Sequence, residues 1–160
     1  MAIYLEVQLR TQVLIIYENE KILKEYQIST AKNGAGEQYG SEQTPRGWHL
    51  IRAKIGEGHP VNTVFVRRRP TGEIYTKELS LQFPERDWIL TRIFWLSGLE
   101  LHKNRFGNVD TMRRKIYIHG APDSVAMGVI GSKGCIRMRN ADLIDLFGQI
   151  PAGTKILIKE

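Results

Sequence analysis

Apolar and polar residues alternate at the start of the chain, where Ile3, Leu5, Val7 and Leu9 share one side of an extended segment. Two further apolar runs follow before Ile28, separated by Asn19-Glu20. Period-two alternation interrupted by turn residues predicts a meander of three short strands. Lys32 to Tyr39, with Asn33-Gly34-Ala35-Gly36, predicts a loop, and Thr44-Pro45-Arg46-Gly47 a turn into strands at His49–Ile55 and Thr63–Arg67. Trp88 to Leu96 is continuously apolar, which suits a buried strand or a short helix, and its length favours the strand. Lys115 to His119 is a brief β-rich segment stopped by Gly120-Ala121-Pro122, so His119 is expected where a strand gives way to a loop.

One helix is predicted. Leu143, Leu146, Phe147 and Ile150 recur at helical spacing, Asn140 can cap the start, Asp142 suits the first turn, and Gly148 would end it. Ile156, Leu157 and Ile158 then read as a last strand. The expected architecture is mostly β, a two-sheet sandwich with one helix packed on it, forming a single domain over residues 1–160.

The chain has 160 residues with 42% hydrophobic and 25% charged, which suits a globular core and argues against disorder. Its longest apolar run, Val13 to Tyr17, is far shorter than a membrane span. The N-terminus alternates and carries Glu6, unlike a secretory leader; a cytoplasmic location is therefore expected, with a periplasmic one as the alternative. The net charge of +6 gathers between Lys103 and Lys115, where five cations face Asp110 alone. Such a segment suits an acidic substrate, a solvated face or nucleic acid, but no nucleic-acid-reading motif accompanies it.

A single cysteine excludes an internal disulfide and a multi-thiolate metal site, so the interest of Cys135 lies in thiol reactivity. A cysteine thiol is mostly protonated at neutral pH, a neighbouring imidazole converts it to the thiolate that attacks a carbonyl carbon, and His119 is the nearest histidine in sequence. Gly134 permits a tight turn, so that the amides of Gly134 and Cys135 could meet a developing oxyanion. On these residues alone, a structural buried thiol stays open.

The run Ile116-Tyr117-Ile118-His119-Gly120 followed by Ser132-Lys133-Gly134-Cys135-Ile136-Arg137-Met138 resembles the signature of the L,D-transpeptidase (YkuD-type) catalytic domain. The similarity extends to Thr44-Pro45-Arg46-Gly47, Ser97-Gly98-Leu99-Glu100, Asn108 through Arg114 and Gly153-Thr154, essentially the whole chain. The resemblance implies that Cys135 is the nucleophile, His119 the base, and the Gly120 carbonyl the group that orients the imidazole. It also implies that Arg137 meets a substrate carboxylate or fixes the loop, and Ser132 and Lys133 are expected beside it at the substrate. Lys133 departs from the family pattern, which has histidine there. An ammonium beside Cys135 would favour the thiolate and could pair with a substrate carboxylate; the plainer reading is a solvent-facing lysine.

His49, His59 and His102 lack metal-ligand spacing, and no metal or cofactor is expected. Trp48, Trp88 and Trp95 suit either the core or a groove wall. The resemblance implies a substrate: peptidoglycan stem peptides or muropeptides, cleaved after the third-position diamino acid, with carbapenems as covalent inhibitors. Water is the expected acceptor, making an L,D-carboxypeptidase that releases terminal D-Ala from tetrapeptides. The alternatives are an L,D-transpeptidase that forms 3-3 cross-links or exchanges D-amino acids, and a non-catalytic basic binding module.

Overall fold

The computed structural model describes residues 2–160. The expected meander is β1 (Ile3–Gln8), β2 (Val13–Glu18) and β3 (Lys21–Ser29). Asn19 and Glu20 both have positive φ (49° and 71°), the tight-turn geometry that matches strand twist in a two-residue hairpin. There follow β4 (Gly47–Ile55), β5 (Thr63–Val66), β6 (Arg69–Ile74), β7 (Ile89–Gly98), β8 (Tyr117–Gly120), β9 (Ile136–Met138) and β10 (Lys155–Lys159). The ambiguous apolar run is therefore a strand, β7.

The mostly β expectation holds, but the two-sheet sandwich does not. A single sheet runs β4-β10-β1-β2-β3-β9-β8-β7 and closes, because β4 pairs with β7 as well as with β10. These eight strands make a mixed, barrel-like ring, from which the β5–β6 hairpin projects through the pairing of β5 with β7. Closure leaves no free edge in the ring, and side chains pointing inward form one core instead of a layer between two sheets. Leu5, Val7, Leu14, Ile16, Ile28, Ile51, Phe94, Leu96, Ile118 and Ile136 all belong to it.

The predicted helix is α2 (Asn140–Gln149), which lays Leu143, Leu146, Phe147 and the flanking Ile150 into that core. Two details differ. Arg139 occupies the cap position with no side-chain cap bond, because the Asn140 side chain is drawn into a buried network described below. Gly148 lies inside the helix, which stops just before Pro151, a residue with no N–H to continue it. A short helix, α1 (Lys77–Gln82), is capped by Thr76, whose hydroxyl accepts from Leu79 N at 3.0 Å, and it buries nothing.

Candidate active site

The site is set by the pleat of β8 and β9, which run parallel with Ile118 opposite Ile136 and His119 opposite Arg137. Ile118 and Ile136 point inward and are fully buried, so Tyr117 and His119 on β8, Arg137 on β9 and Cys135 just before β9 take the opposite face. Those four residues line one cavity of about 270 Å³. Cys135 sits beside Tyr117, whose main-chain N–H donates to Sγ at 3.3 Å; the thiol is 3.5 Å from the Lys115 carbonyl.

His119 is 1% exposed, and its Nδ1 lies 2.6 Å from the Gly120 carbonyl oxygen. A carbonyl can only accept, so Nδ1 carries the hydrogen and Nε2 keeps the lone pair of a base. Burial pushes the imidazole pKa below its usual value; the Gly120 bond and Asp87 oppose this, and Arg137 adds to it. Burial also pushes the Cys135 thiol up, to about 12, against the Tyr117 amide and the positive charges of Arg114 and Arg137, with Asp87 raising it further. Both shifts favour the uncharged forms, so the resting pair is thiol and neutral imidazole.

The loop before Cys135 is fixed from within. Ser132 Oγ donates to the Cys135 carbonyl at 2.6 Å and accepts from Gly134 N at 3.2 Å. Ser132 thus lines the cavity while its hydroxyl serves the loop, and the Gly134 amide, expected to face an oxyanion, is turned to Ser132. Gly134 has φ +128°, and a Cβ there would lie 3.2 Å from Ile116 Cδ1 and 3.3 Å from the Gln43 carbonyl. Thr44, from the Thr-Pro-Arg-Gly turn, donates to the Gly134 carbonyl at 3.0 Å. Arg137 donates through Nη2 to Ser29 Oγ at 2.9 Å, and its buried Nε has no hydrogen-bond partner among the described residues. Lys133 is exposed at the cavity rim. Arg114 and Arg137 are cations that lower the thiol pKa.

The YkuD L,D-transpeptidase catalytic domain matches residues 2–158. The chain belongs to this family. Bacillus licheniformis YkuD, named as an L,D-transpeptidase, is 27% identical over 153 residues, which are 95% of this chain; the chain spans 62% of that relative. An L,D-transpeptidase from Xylanimonas cellulosilytica has the same fold at a TM-score of 0.61 and 18% identity, with 99% of this chain and 60% of that one covered. L,D-transpeptidase 3 from Mycobacterium tuberculosis, solved with a faropenem-derived adduct, superposes at 0.60 with 12% identity over 99% of this chain and 60% of that one.

Within this L,D-transpeptidase-family site, several groups escaped the sequence reading. The Tyr117 amide carries no side-chain signal. Arg68 comes from the β5–β6 turn, stacks 4.4 Å from the Trp95 ring centroid and donates to Tyr117 Oη at 2.9 Å. Arg114 is half-buried and donates to the carbonyls of Gly36 (3.2 Å) and Gln43 (2.5 Å). Of the basic segment, only Arg114 and Lys115 line this cavity; Arg105 and Arg113 line a separate surface cavity of about 520 Å³. His49 is fully buried between the Gly47 carbonyl and Thr111 Oγ1, while His59 and His102 are exposed; none of the three lines the cavity. Neither do the tryptophans. No cluster of three or more His, Cys, Asp or Glu occurs among the described residues, and no helix is long and apolar enough to cross a membrane.

Proposed function

We propose that the protein is a cysteine acyltransferase acting on peptidoglycan stem peptides, cleaving the L,D bond that follows the third-position diamino acid. The observation that carries this reading is that Cys135 and His119 line one cavity together with six cations (Arg67, Arg68, Arg114, Lys115, Lys133 and Arg137) and one carboxylate, Asp87. A stem peptide brings several free carboxylates to such a surface, and the unpartnered Arg137 Nε offers one of them a buried donor. Lys133 serves the same ligand from the rim.

Sγ attacks the carbonyl carbon as His119 Nε2 takes the thiol proton. The Tyr117 N–H, already directed at Sγ, and the Cys135 N–H stabilise the oxyanion. Collapse breaks the C–N bond to the terminal D-residue, whose amine leaves with the proton from His119, and the acyl group stays on sulfur. Water, deprotonated by His119, then releases the tripeptide acid and restores the thiol. Hydrolysis is the preferred fate because an amine acceptor enters as an ammonium, which a cavity of net positive charge repels. Carbapenems acylate the same sulfur.

The test is incubation with a soluble disaccharide tetrapeptide, with and without excess D-amino acid or second stem peptide. Tripeptide and free D-Ala are expected, and neither with Cys135→Ala. A predominance of cross-linked or exchanged product would assign the protein as a transpeptidase, and no product at all would refute acyl transfer to these acceptors.

A further inference from the structure

Behind His119 lies a buried hydrogen-bond network that the proposed reaction does not use. Asn140 is 4% exposed at the start of α2. Its Oδ1 accepts from Thr91 Oγ1 at 2.7 Å, and Thr91 Oγ1 accepts in turn from the Asn62 main-chain N–H at 3.0 Å. Asn140 Nδ2 donates to the Ala121 carbonyl at 3.0 Å and to Asn62 Oδ1 at 3.1 Å, with Asp123 Oδ1 3.5 Å away. Three segments far apart in sequence thus meet on the backbone that follows His119.

Two further observations give the network a direction. Thr91 is fully buried with φ +77°, in the irregular stretch where the β7–β8 register shifts between Leu90 and Ile93. A β-branched residue in that region is strained, and such strain persists only where its surroundings impose it, most often near functional sites. Gly120 is the second observation: a Cβ there would lie 2.2 Å from Asn140 Oδ1 and 2.7 Å from the Leu90 carbonyl. Asn140 therefore packs directly against the residue whose carbonyl accepts from His119 Nδ1.

We propose that Asn140, with Thr91 and Asn62, is a positioning unit that fixes the Gly120–Ala121 backbone and through it the tautomer and orientation of His119. None of the three lines the catalytic cavity, so they act through Gly120 and do not touch the reacting atoms. The Gly120 carbonyl is the one hydrogen-bond partner of the imidazole among the described residues. If that carbonyl swings away, nothing holds the hydrogen on Nδ1. A ring with its hydrogen on Nε2 has no lone pair there to take the thiol proton.

This inference deepens the acyl-transfer reading and rests on it for its catalytic meaning, but its structural content is read without any substrate. Thr91→Gly removes the hydroxyl and adopts φ +77° without strain, but it leaves Asn140 Oδ1 and the Asn62 N–H without this partner, so its urea midpoint is measured first to establish that it folds. Thr91→Ser keeps the hydroxyl and is the rescue. Nitrogen-15 NMR of the imidazoles should show His119 as a single Nδ1–H tautomer in the parent and in Thr91→Ser. In Thr91→Gly it should show a mixture that includes Nε2–H, with the ring titrating at lower pH because the imidazolium has lost its acceptor. The rate of Cys135 acylation by a carbapenem should fall at least tenfold in Thr91→Gly and stay within about twofold in Thr91→Ser. A folded Thr91→Gly that keeps the single Nδ1–H tautomer and the parent titration midpoint overturns the proposal. Absence of acylation in the parent would count against the acyl-transfer reading and leave the tautomer result to decide the network.

Discussion

Thiol-base enzymes can rest as thiolate and imidazolium or as two uncharged groups, and the surroundings of Cys135 select the second. Burial dominates the balance: it raises the thiol to about 12, and the Tyr117 amide, Arg114 and Arg137 offset only part of the rise. An ordinary cysteine, with a pKa of about 8.5, is about 3% thiolate at pH 7, and the raised value leaves far less. His119 is pushed in the complementary direction and cannot hold a proton in exchange. The perturbation that separates the two resting states is His119→Ala, read by thiolate absorbance near 240 nm during a pH titration. The parent should show no thiolate below about pH 9, and His119→Ala should titrate the same way, because the imidazole does not create the anion at rest. Acylation by a carbapenem, in contrast, should drop at least 100-fold in that variant, since the proton then has no acceptor as sulfur attacks. A thiolate signal with a midpoint below pH 8 that disappears in His119→Ala would refute the reasoning.

Because burial lowers the His119 pKa, the acid limb of the acylation rate should fall below the ordinary histidine value of about 6.5, so activity persists into mildly acidic buffer; a limb above that value would contradict the assigned environment. Asp87→Asn removes the carboxylate that raises the thiol pKa, so the onset of alkylation by iodoacetamide should move to lower pH, and an unchanged onset would show that Asp87 exerts no field at sulfur. His49, lowered to about 4 by burial, is neutral in the fold, so the unfolded state binds the extra proton. Stability should therefore fall as the pH drops from about 6.5 toward 4, by up to about 3 kcal/mol at about 1.4 kcal/mol per unit, and urea midpoints across that range should lose this slope in His49→Gln.

The strands that a sequence reveals are those with one face in a core. Ile3, Leu5 and Val7 alternate because that side of β1 packs into the apolar core, and Asn19-Glu20 supplies the turn into β3. β6 carries no such mark: it lies on the projecting hairpin, is almost wholly exposed and contains Pro70 and Gly72. α1 escaped for the same reason, since no residue of it is buried. Ring closure depends on β4 meeting β7 and on β10 running parallel to β1, pairings between distant segments that no local period encodes. In the site, Cys135 and His119 were singled out because their side chains can carry the chemistry, and the two line one cavity. The Tyr117 amide was not, being main chain. Asn140 was misread as a helix cap because the local rule is sound for an exposed helix start, whereas here Thr91, Asn62 and the Ala121 carbonyl claim its side chain. The Gly134 amide was likewise expected to face substrate, and the hydroxyl of Ser132, two residues earlier, takes it.

The central claim, that Cys135 forms a covalent acyl intermediate, is tested most directly by intact mass and peptide mapping after incubation with a carbapenem, with Cys135→Ala alongside. The account predicts one adduct per chain, mapped to Cys135, and an unmodified alanine variant with the parent's urea midpoint. An adduct on the alanine variant, or a folded parent chain that stays unmodified at saturating carbapenem, would contradict it.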